Sequence, residues 1–335
     1  MDECLEQLLA AAKGANNWLI LTHNNPDPDA IASAVALAYL LAEKLKLPAK
    51  LAYRGIIGRA ENQALVQYLG HPLQRFSPSL LQEADGRALV DTQPGAGNNA
   101  LPAGITPAIV IDHHPRLEAT ARVRYADVRP DVGAASSLMV QYLRAAGLSP
   151  PASLATALFY GIKTDTMGLK RATSQLDMDA TCYLLSRIDL EGLMQIEHAQ
   201  VPISYFQGLT AALQATRIYG SVVITYLGLM SYPDLTAEIA DLLLRLRGCE
   251  WAICMGTHKD RFIISVRTQK QRGAGVLAQM MVGDLGFAGG HGAMAGGQII
   301  LTGQDPEKLA RDLTHKAKEH LNISARTRGK SLMLG

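Results

Sequence analysis

The sequence has no excess of either charge: 32 Lys and Arg stand against 30 Asp and Glu, a formal net charge of +2. That balance excludes a global field for polyanions and makes long nucleic acid a poor partner, so an anionic substrate must be held by local groups. Cysteine is scarce. Cys4, Cys182, Cys249 and Cys254 lack the paired spacing of a metal site and lie in apolar stretches, which predicts buried, reduced thiols in a cytoplasmic protein. Long hydrophobic runs are missing as well. The longest, residues 30–42, is too short to span a bilayer, and the opening MDECLEQLLAAAK lacks a basic region followed by a signal-type core. These absences predict a soluble, unexported protein with no membrane partner. There is no low-complexity linker and no internal repeat.

Single hydrophobic cores stop growing at roughly 250–300 residues, so a chain of 335 residues predicts two domains. Over residues 15–168 short β-rich runs (NWLILTH, ALVDT, AIVIDHH) alternate with helical patterns (AIASAVALAYLLAEKL, SSLMVQYLRAAG). The fold class expected from this is α/β, a mostly parallel sheet with helices on both faces. From about residue 218 a smaller α/β unit starts with SVVITYLGL, the helix LTAEIADLLLRLRG and the strands WAICMGTH and RFIISVRT. A glycine-rich GFAGGHGAMAGGQII and the helix DPEKLARDLTHKAKEHL complete it. The expected boundaries are residues 1–190 and 217–325, with a helical connector over 191–216 and a mobile tail over 326–335. The expected arrangement is bilobal, with the active site in the cleft.

Ligands of open parallel sheets bind beyond the carboxyl ends of the strands, and three strand candidates here end in polar clusters: residues 23–29, Asp91, and residues 112–114. A fourth acid, Asp165, follows the apolar LATALFYGIKT. A buried carboxylate costs several kcal/mol unless it is paired or bound to a metal. A mixed His and Asp set suits Mn²⁺, Zn²⁺ or Fe²⁺, whereas all-oxygen sets favour Mg²⁺ or Ca²⁺. Asp27 and Asp29 project differently from a Pro-stiffened loop, and a carboxylate at Asp91 is placed to bridge two ions. Two metals about 4 Å apart share a hydroxide, lower its pKa and clamp both oxygens of a phosphoryl transfer.

Each residue also has a plainer reading. Asp29 suits the N-cap of the helix beginning at Ala30, Asp91 a turn start, His113 and His114 a surface loop, and Asp165 a helix end. The glycine-rich segment reads as a loop whose Gly289, Gly290, Gly292, Gly296 and Gly297 let backbone N–H groups converge on an anion, or as a tight strand connection. Arg116, Lys163 and Lys170 read as solvated charges, and Met280 with Met281 as core.

THNNPDPDAIAS, VDTQPG, IDHHP and GIKTDT follow one another in an order that resembles the four motifs of the DHH phosphoesterase superfamily. Its three-letter signature stands here as Asp112, His113 and His114. GGHGAMAGG resembles the substrate-binding motif of the DHH-associated domain type 1 of RecJ-like nucleases and nanoRNases. The resemblance implies that His23, Asp27 and Asp91 bind one Mn²⁺ and that Asp29, Asp91, His113 and Asp165 bind a second. Mg²⁺ or Co²⁺ would be substitutes. Asp112 would orient a ligand histidine, and His114 would face the scissile phosphate. Arg267, Gly289, Gly290, His291 and Gly292 would contact substrate. Pro28 and Ala288 replace residues that are commonly glycine in these motifs.

The function this implies is a Mn²⁺-dependent phosphodiesterase. It would degrade very short RNA oligonucleotides to 5′-mononucleotides through a bridging hydroxide, and would remove the 3′-phosphate of pAp. A cyclic or linear dinucleotide phosphodiesterase would use the same metals. A family II inorganic pyrophosphatase shares the N-terminal ligands but not GGHGAMAGG, and a non-catalytic nucleotide binder would need no bridging Asp91. A homodimer is allowed, as for soluble enzymes generally.

Overall fold

The computed structural model describes residues 3–170, 173–270 and 272–333. The chain divides into two compact units, Met1–Gln200 and Val201–Gly335.

The first unit runs α1 (Glu3–Ala12), β1 (Trp18–Leu21), α2 (Pro28–Leu45), β2 (Ala49–Tyr53), α3 (Ala60–Tyr68), β3 (Leu73–Arg75) and α4 (Pro78–Glu83). It continues with β4 (Gly86–Val90), β5 (Ile109–Asp112), β6 (Tyr125–Val128), α5 (Ala135–Ala145), α6 (Ala152–Asp165), α7 (Gln175–Leu185) and α8 (Leu190–Glu197). The six strands are all parallel and lie in the order β3-β2-β1-β4-β5-β6. The expected parallel sheet is present, and β2, β3 and β6 enlarge it beyond the strands the apolar pattern marked.

Parallel strands covered on both faces read as continuous apolar runs, and WLIL of β1 is buried throughout. Trp18 and Ile20 join the core of α1, α2, α5 and α6, while Leu19 and Leu21 pack with Leu80 and Ala84 on the other face. The chain turns one way from β1 to β2 and β3, and the other way from β4 to β6. The switch point therefore lies between β1 and β4, whose carboxyl ends open side by side.

Helix α2 begins two residues earlier than its apolar pattern. Asp27 is its N-cap, accepting from Ala30 N at 3.0 Å, and Pro28 occupies the first turn. Asp29 is thus not the cap of its own helix. The helix closes where Lys46 adopts φ 59° and returns its N–H to Ala42.

The second unit runs α9 (Ile203–Ala215), β7 (Arg217–Tyr219), β8 (Val222–Leu229), α10 (Leu235–Leu243), β9 (Trp251–His258) and β10 (Arg261–Thr268). Then follow α11 (Ala274–Val282), β11 (Gly286–His291), β12 (Met294–Ile300), α12 (Pro306–His320) and β13 (Lys330–Ser331). Its sheet has the order β11-β12-β10-β9-β8-β7-β13, with only β8 and β9 parallel. Helices α11 and α12 cover one face, and α9 and α10 the other.

Several expectations are corrected. The span 191–216 is not one connector: Leu193 and Ile196 of α8 join the first unit's core, whereas Ala212 of α9 packs in the second. The tail is not free, because β13 pairs with β7 and Lys318 Nζ donates to the carbonyls of Ala325 and Thr327. All four cysteines are free, but only Cys249 and Cys254 are buried, and Cys182 is exposed. Met281 is buried while Met280 is 37% exposed. Among the described residues no helix is long and apolar enough to cross a membrane.

Gly86 opens β4 directly under the indole of Trp18. A Cβ there would lie 2.5 Å from Trp18 Cε2, and Trp18 is buried. Overpacking of this kind costs about 1–3 kcal/mol. Gly86→Ala is expected to lower the urea midpoint accordingly, with the m-value unchanged.

Candidate metal centre

Three strand ends and two helix ends build the site. The chain leaves β1 through His23, whose Nδ1 lies 2.9 Å from the carbonyl of Asn24. A carbonyl can only accept, so Nδ1 carries the proton and Nε2 presents a lone pair. That Nε2 is 3.6 Å from Asp27 Oδ1 and 3.4 Å from Asp91 Oδ2. His113, one residue past β5, repeats the device: Nδ1 lies 3.3 Å from the carbonyl of Val132. Its Nε2 is 3.3 Å from Asp91 Oδ1, 3.4 Å from Asp165 Oδ2 and 3.9 Å from Asp29 Oδ2.

Asp91 lies between these two groups. It follows β4 in a left-handed conformation, φ 56°, and its N–H donates to Ile111 at 2.9 Å. Asp tolerates this region better than most residues, and a non-Gly residue held there, 1% exposed, is typical of strain kept at a functional site. One carboxylate oxygen faces His23 and the other faces His113.

Asp29 is fully buried. Its Oδ2 accepts from Ala135 N and its Oδ1 from Ser136 N, both at 2.7 Å. Ala134, the N-cap of α5, has no side-chain oxygen, so Asp29 of α2 caps α5 instead. The positive end of α5 thereby supports a carboxylate beside the centre. Helix α6 brings in Asp165 and crosses close enough that a Cβ on Gly161 would lie 2.6 Å from Ser136 Oγ and 3.0 Å from Asp29 Cα.

The site is short of positive charge. Burial opposes the His23 imidazolium, yet Asp27 and Asp91 outweigh it and hold its pKa well above the ordinary value. His113 is raised in the same way against burial, by Asp165 and Asp91. Burial pushes Asp29 well up, aided by Asp91 and Asp165. Burial and Asp27 raise Asp165 to about 6. Asp91 goes the other way: burial is outweighed by His113 and His23, which lower it. Asp29, Asp165 and both histidines are thus pushed towards holding protons, and Asp91 towards ionisation.

Asp112 lies against His114 and the turn that carries both histidines. Its Oδ1 lies 2.8 Å from His114 Nδ1 and accepts from His113 N at 2.9 Å, so it orients His114 and the turn itself. The ring of His113 is oriented by the Val132 carbonyl. Asp112 and Asp91 together raise the pKa of His114 against its burial. Gln93, the polar residue within VDTQPG that the motif's chemistry did not single out, ties these loops together. Its Nε2 donates to Asp112 Oδ2 at 2.7 Å and to the Pro115 carbonyl at 3.0 Å. Its Oε1 accepts from Leu117 N and Thr120 Oγ1, both at 2.8 Å.

In the second unit the glycine-rich segment is a hairpin and not an open loop. Gly289 pairs with Gly296 and Gly290 with Ala295. Gly290 has φ 150°, and a Cβ on it would lie 2.4 Å from Ala295 Cα. Gly292, φ 55°, makes the turn. The side chain of His291 lies outside the described residues. Arg267 is 9% exposed, and its Nε donates to Asp241 Oδ1 at 2.6 Å.

Among the described residues three groups have ligand atoms that lie within 4.8 Å of one another inside each group: His23, Asp27 and Asp91; Asp29, His113 and Asp165; and Asp91, His113 and His114. Asp91 Oδ1 and His113 Nε2 are buried and make no hydrogen bond. Buried polar atoms left so are rare. Unpaired donors of this mixed N and O type fit divalent cations.

Fold and site define a doubly wound α/β domain with a His/Asp centre at its switch point whose ligand atoms could hold cations. Residues 17–162 match the DHH family, N-terminal domain. An uncharacterized protein of Methanocaldococcus jannaschii is 39% identical over 286 residues, covering 84% of this chain and 58% of the relative. A probable manganese-dependent inorganic pyrophosphatase of Streptococcus agalactiae is 32% identical over 158 residues, 47% of this chain and 50% of its own length. The chain thus spans only about half the length of these curated relatives. Among solved structures, an exopolyphosphatase-related protein from Bacteroides fragilis shares the fold with TM-score 0.69 and 16% identity, over 96% of this chain and 97% of that one.

Removing Gln93 strands Asp112 Oδ2 and Thr120 Oγ1 in the interior and takes the partner of the half-buried Leu117 N. A buried group left unpaired costs about 1–3 kcal/mol. Gln93→Ala should therefore lose about 3 kcal/mol of unfolding free energy in urea titration; a loss below about 1 kcal/mol would remove Gln93 from the supports of the centre.

Proposed function

We propose that the chain is a Mn²⁺-dependent phosphoesterase that hydrolyses very short RNA oligonucleotides to 5′-mononucleotides and also takes pAp. The reading is carried by Asp91, whose two carboxylate oxygens each face a different histidine with its lone pair turned inward. His23, Asp27 and Asp91 hold one cation; Asp29, Asp91, His113 and Asp165 hold the other. When bound, the two cations supply an activated water and offset the charge on the phosphoryl oxygens. Asp112 keeps His114 protonated at Nδ1 and oriented, and His114 Nε2 donates to a phosphoryl or leaving oxygen. Arg267, Gly289, Gly290, His291 and Gly292 of the second unit contribute to substrate binding. The near-zero net charge favours short over long nucleic acid.

A second reading is hydrolysis of inorganic pyrophosphate. It is favoured by the Streptococcus agalactiae relative, a probable manganese-dependent inorganic pyrophosphatase that matches 47% of this chain.

The deciding experiment is hydrolysis, with Mn²⁺, of RNA di- to pentamers, longer RNA, pAp, cyclic di-AMP and pyrophosphate, alongside Asp91→Ala. Cleavage of the shortest RNAs and pAp, abolished by Asp91→Ala, is the expected result. Preference for pyrophosphate selects the second reading, and turnover that survives Asp91→Ala in a nuclease-free preparation overturns both. Stripping the metal with a chelator should abolish activity, and Mn²⁺ should restore it. His114→Ala should lower kcat by about 10²-fold or more, the size of a lost general acid, while Mn²⁺ stoichiometry by elemental analysis stays as in the wild type.

A further inference from the structure

We infer that Asp177 is a positioning residue for one half of the metal centre, although it belongs to none of the motifs and offers no ligand atom. The inference rests on the proposed metal-holding roles of Asp29 and His113. Asp177 is the third residue of α7 and is fully buried. A capping box at that helix requires only reciprocal bonds with Ser174, and these are present. The carboxylate does more. Its Oδ2 accepts from Ser174 N and Ser174 Oγ at 2.7 Å and from Gly133 N at 2.8 Å, while Oδ1 accepts from Ser137 Oγ at 2.6 Å.

Gly133 and Ser137 bracket the loop that serves the centre. The carbonyl of Val132, next to Gly133, fixes the ring of His113. The amides of Ala135 and Ser136, between the two anchors, hold both oxygens of Asp29. Asp177 therefore pins both ends of the segment that aims Asp29 and His113. The His23 and Asp27 half rests on other groups: the Asn24 carbonyl and the Ala30 amide. Loss of Asp177 should fall on one cation and spare the other.

The test is calorimetric titration of Mn²⁺ alone into the metal-stripped full chain as wild type, Asp177→Ala, Asp177→Asn and Ser137→Ala. Loss of an outer-shell partner typically weakens metal binding about 10–100-fold. Asp177→Ala should weaken one of two Mn²⁺ by that factor and leave the other unchanged. Asp177→Asn should recover most of the affinity, because its amide donates to a reversed Ser137 hydroxyl while its oxygen still accepts from Gly133. Ser137→Ala leaves the capping box intact and should weaken the same Mn²⁺ by a smaller factor, which decides the matter if the Asp177→Ala variant does not fold. Equal loss of both ions, or no change in either, overturns the positioning role alone. A wild type that binds fewer than two Mn²⁺ overturns the two-metal reading beneath it.

Discussion

Negative charge concentrated at the carboxyl ends of β1 and β4 is the constraint around which the first unit is arranged. Asp27, Asp29, Asp91 and Asp165 converge on two histidines, and Asp29 and Asp91 among them are buried. Such a cluster is stable only when protons or cations offset it. The opposed behaviour of its acids expresses this: Asp29 and Asp165 are driven towards protonation, while Asp91, between the histidines, is driven towards ionisation. A sheet whose order reverses between β1 and β4 allows acids from separate loops to meet without burying any of them in the apolar layers.

The supports are mostly backbone groups, which suits their task. A carbonyl on Nδ1 sets the tautomer of both His23 and His113, so each Nε2 is aimed and unprotonated in the neutral ring. A helix N-terminus holds Asp29. Backbone donors and acceptors do not change rotamer, and they lose no side-chain entropy in keeping a ligand in place. Where side chains are used, as with Gln93 and Asp177, they are buried and each fixes two or more loops at once. Gly161 shows the matching steric demand: α6 delivers Asp165 only because no Cβ separates it from α2 and α5.

The legible part of this protein was chemical and periodic. β9 and β10 match the quoted apolar runs to the residue, and the four acid-bearing clusters could be read because carboxylates at the ends of apolar strands demand an explanation. The weaker strands escaped: β3 has three residues, and only Leu73 is buried, so it has no apolar signature. Gln93 and Asp177 escaped because a polar residue between two apolar stretches looks the same whether it faces water or ties two loops.

By itself the sequence determined the α/β alternation, the residue types at the centre and the strand ends that carry them, since periodicity and side-chain chemistry are local properties. Only the tertiary structure decided that Asp27 caps α2 while Asp29, 106 residues from Ala135, caps α5. It also decided that Asp112 serves His114 and that the glycine-rich segment pairs into a hairpin. The physical reason is the same in each instance. A carboxylate or an amide is satisfied by whatever donor or acceptor the packing brings within reach, and that partner is set by the meeting of distant elements, which no local pattern encodes.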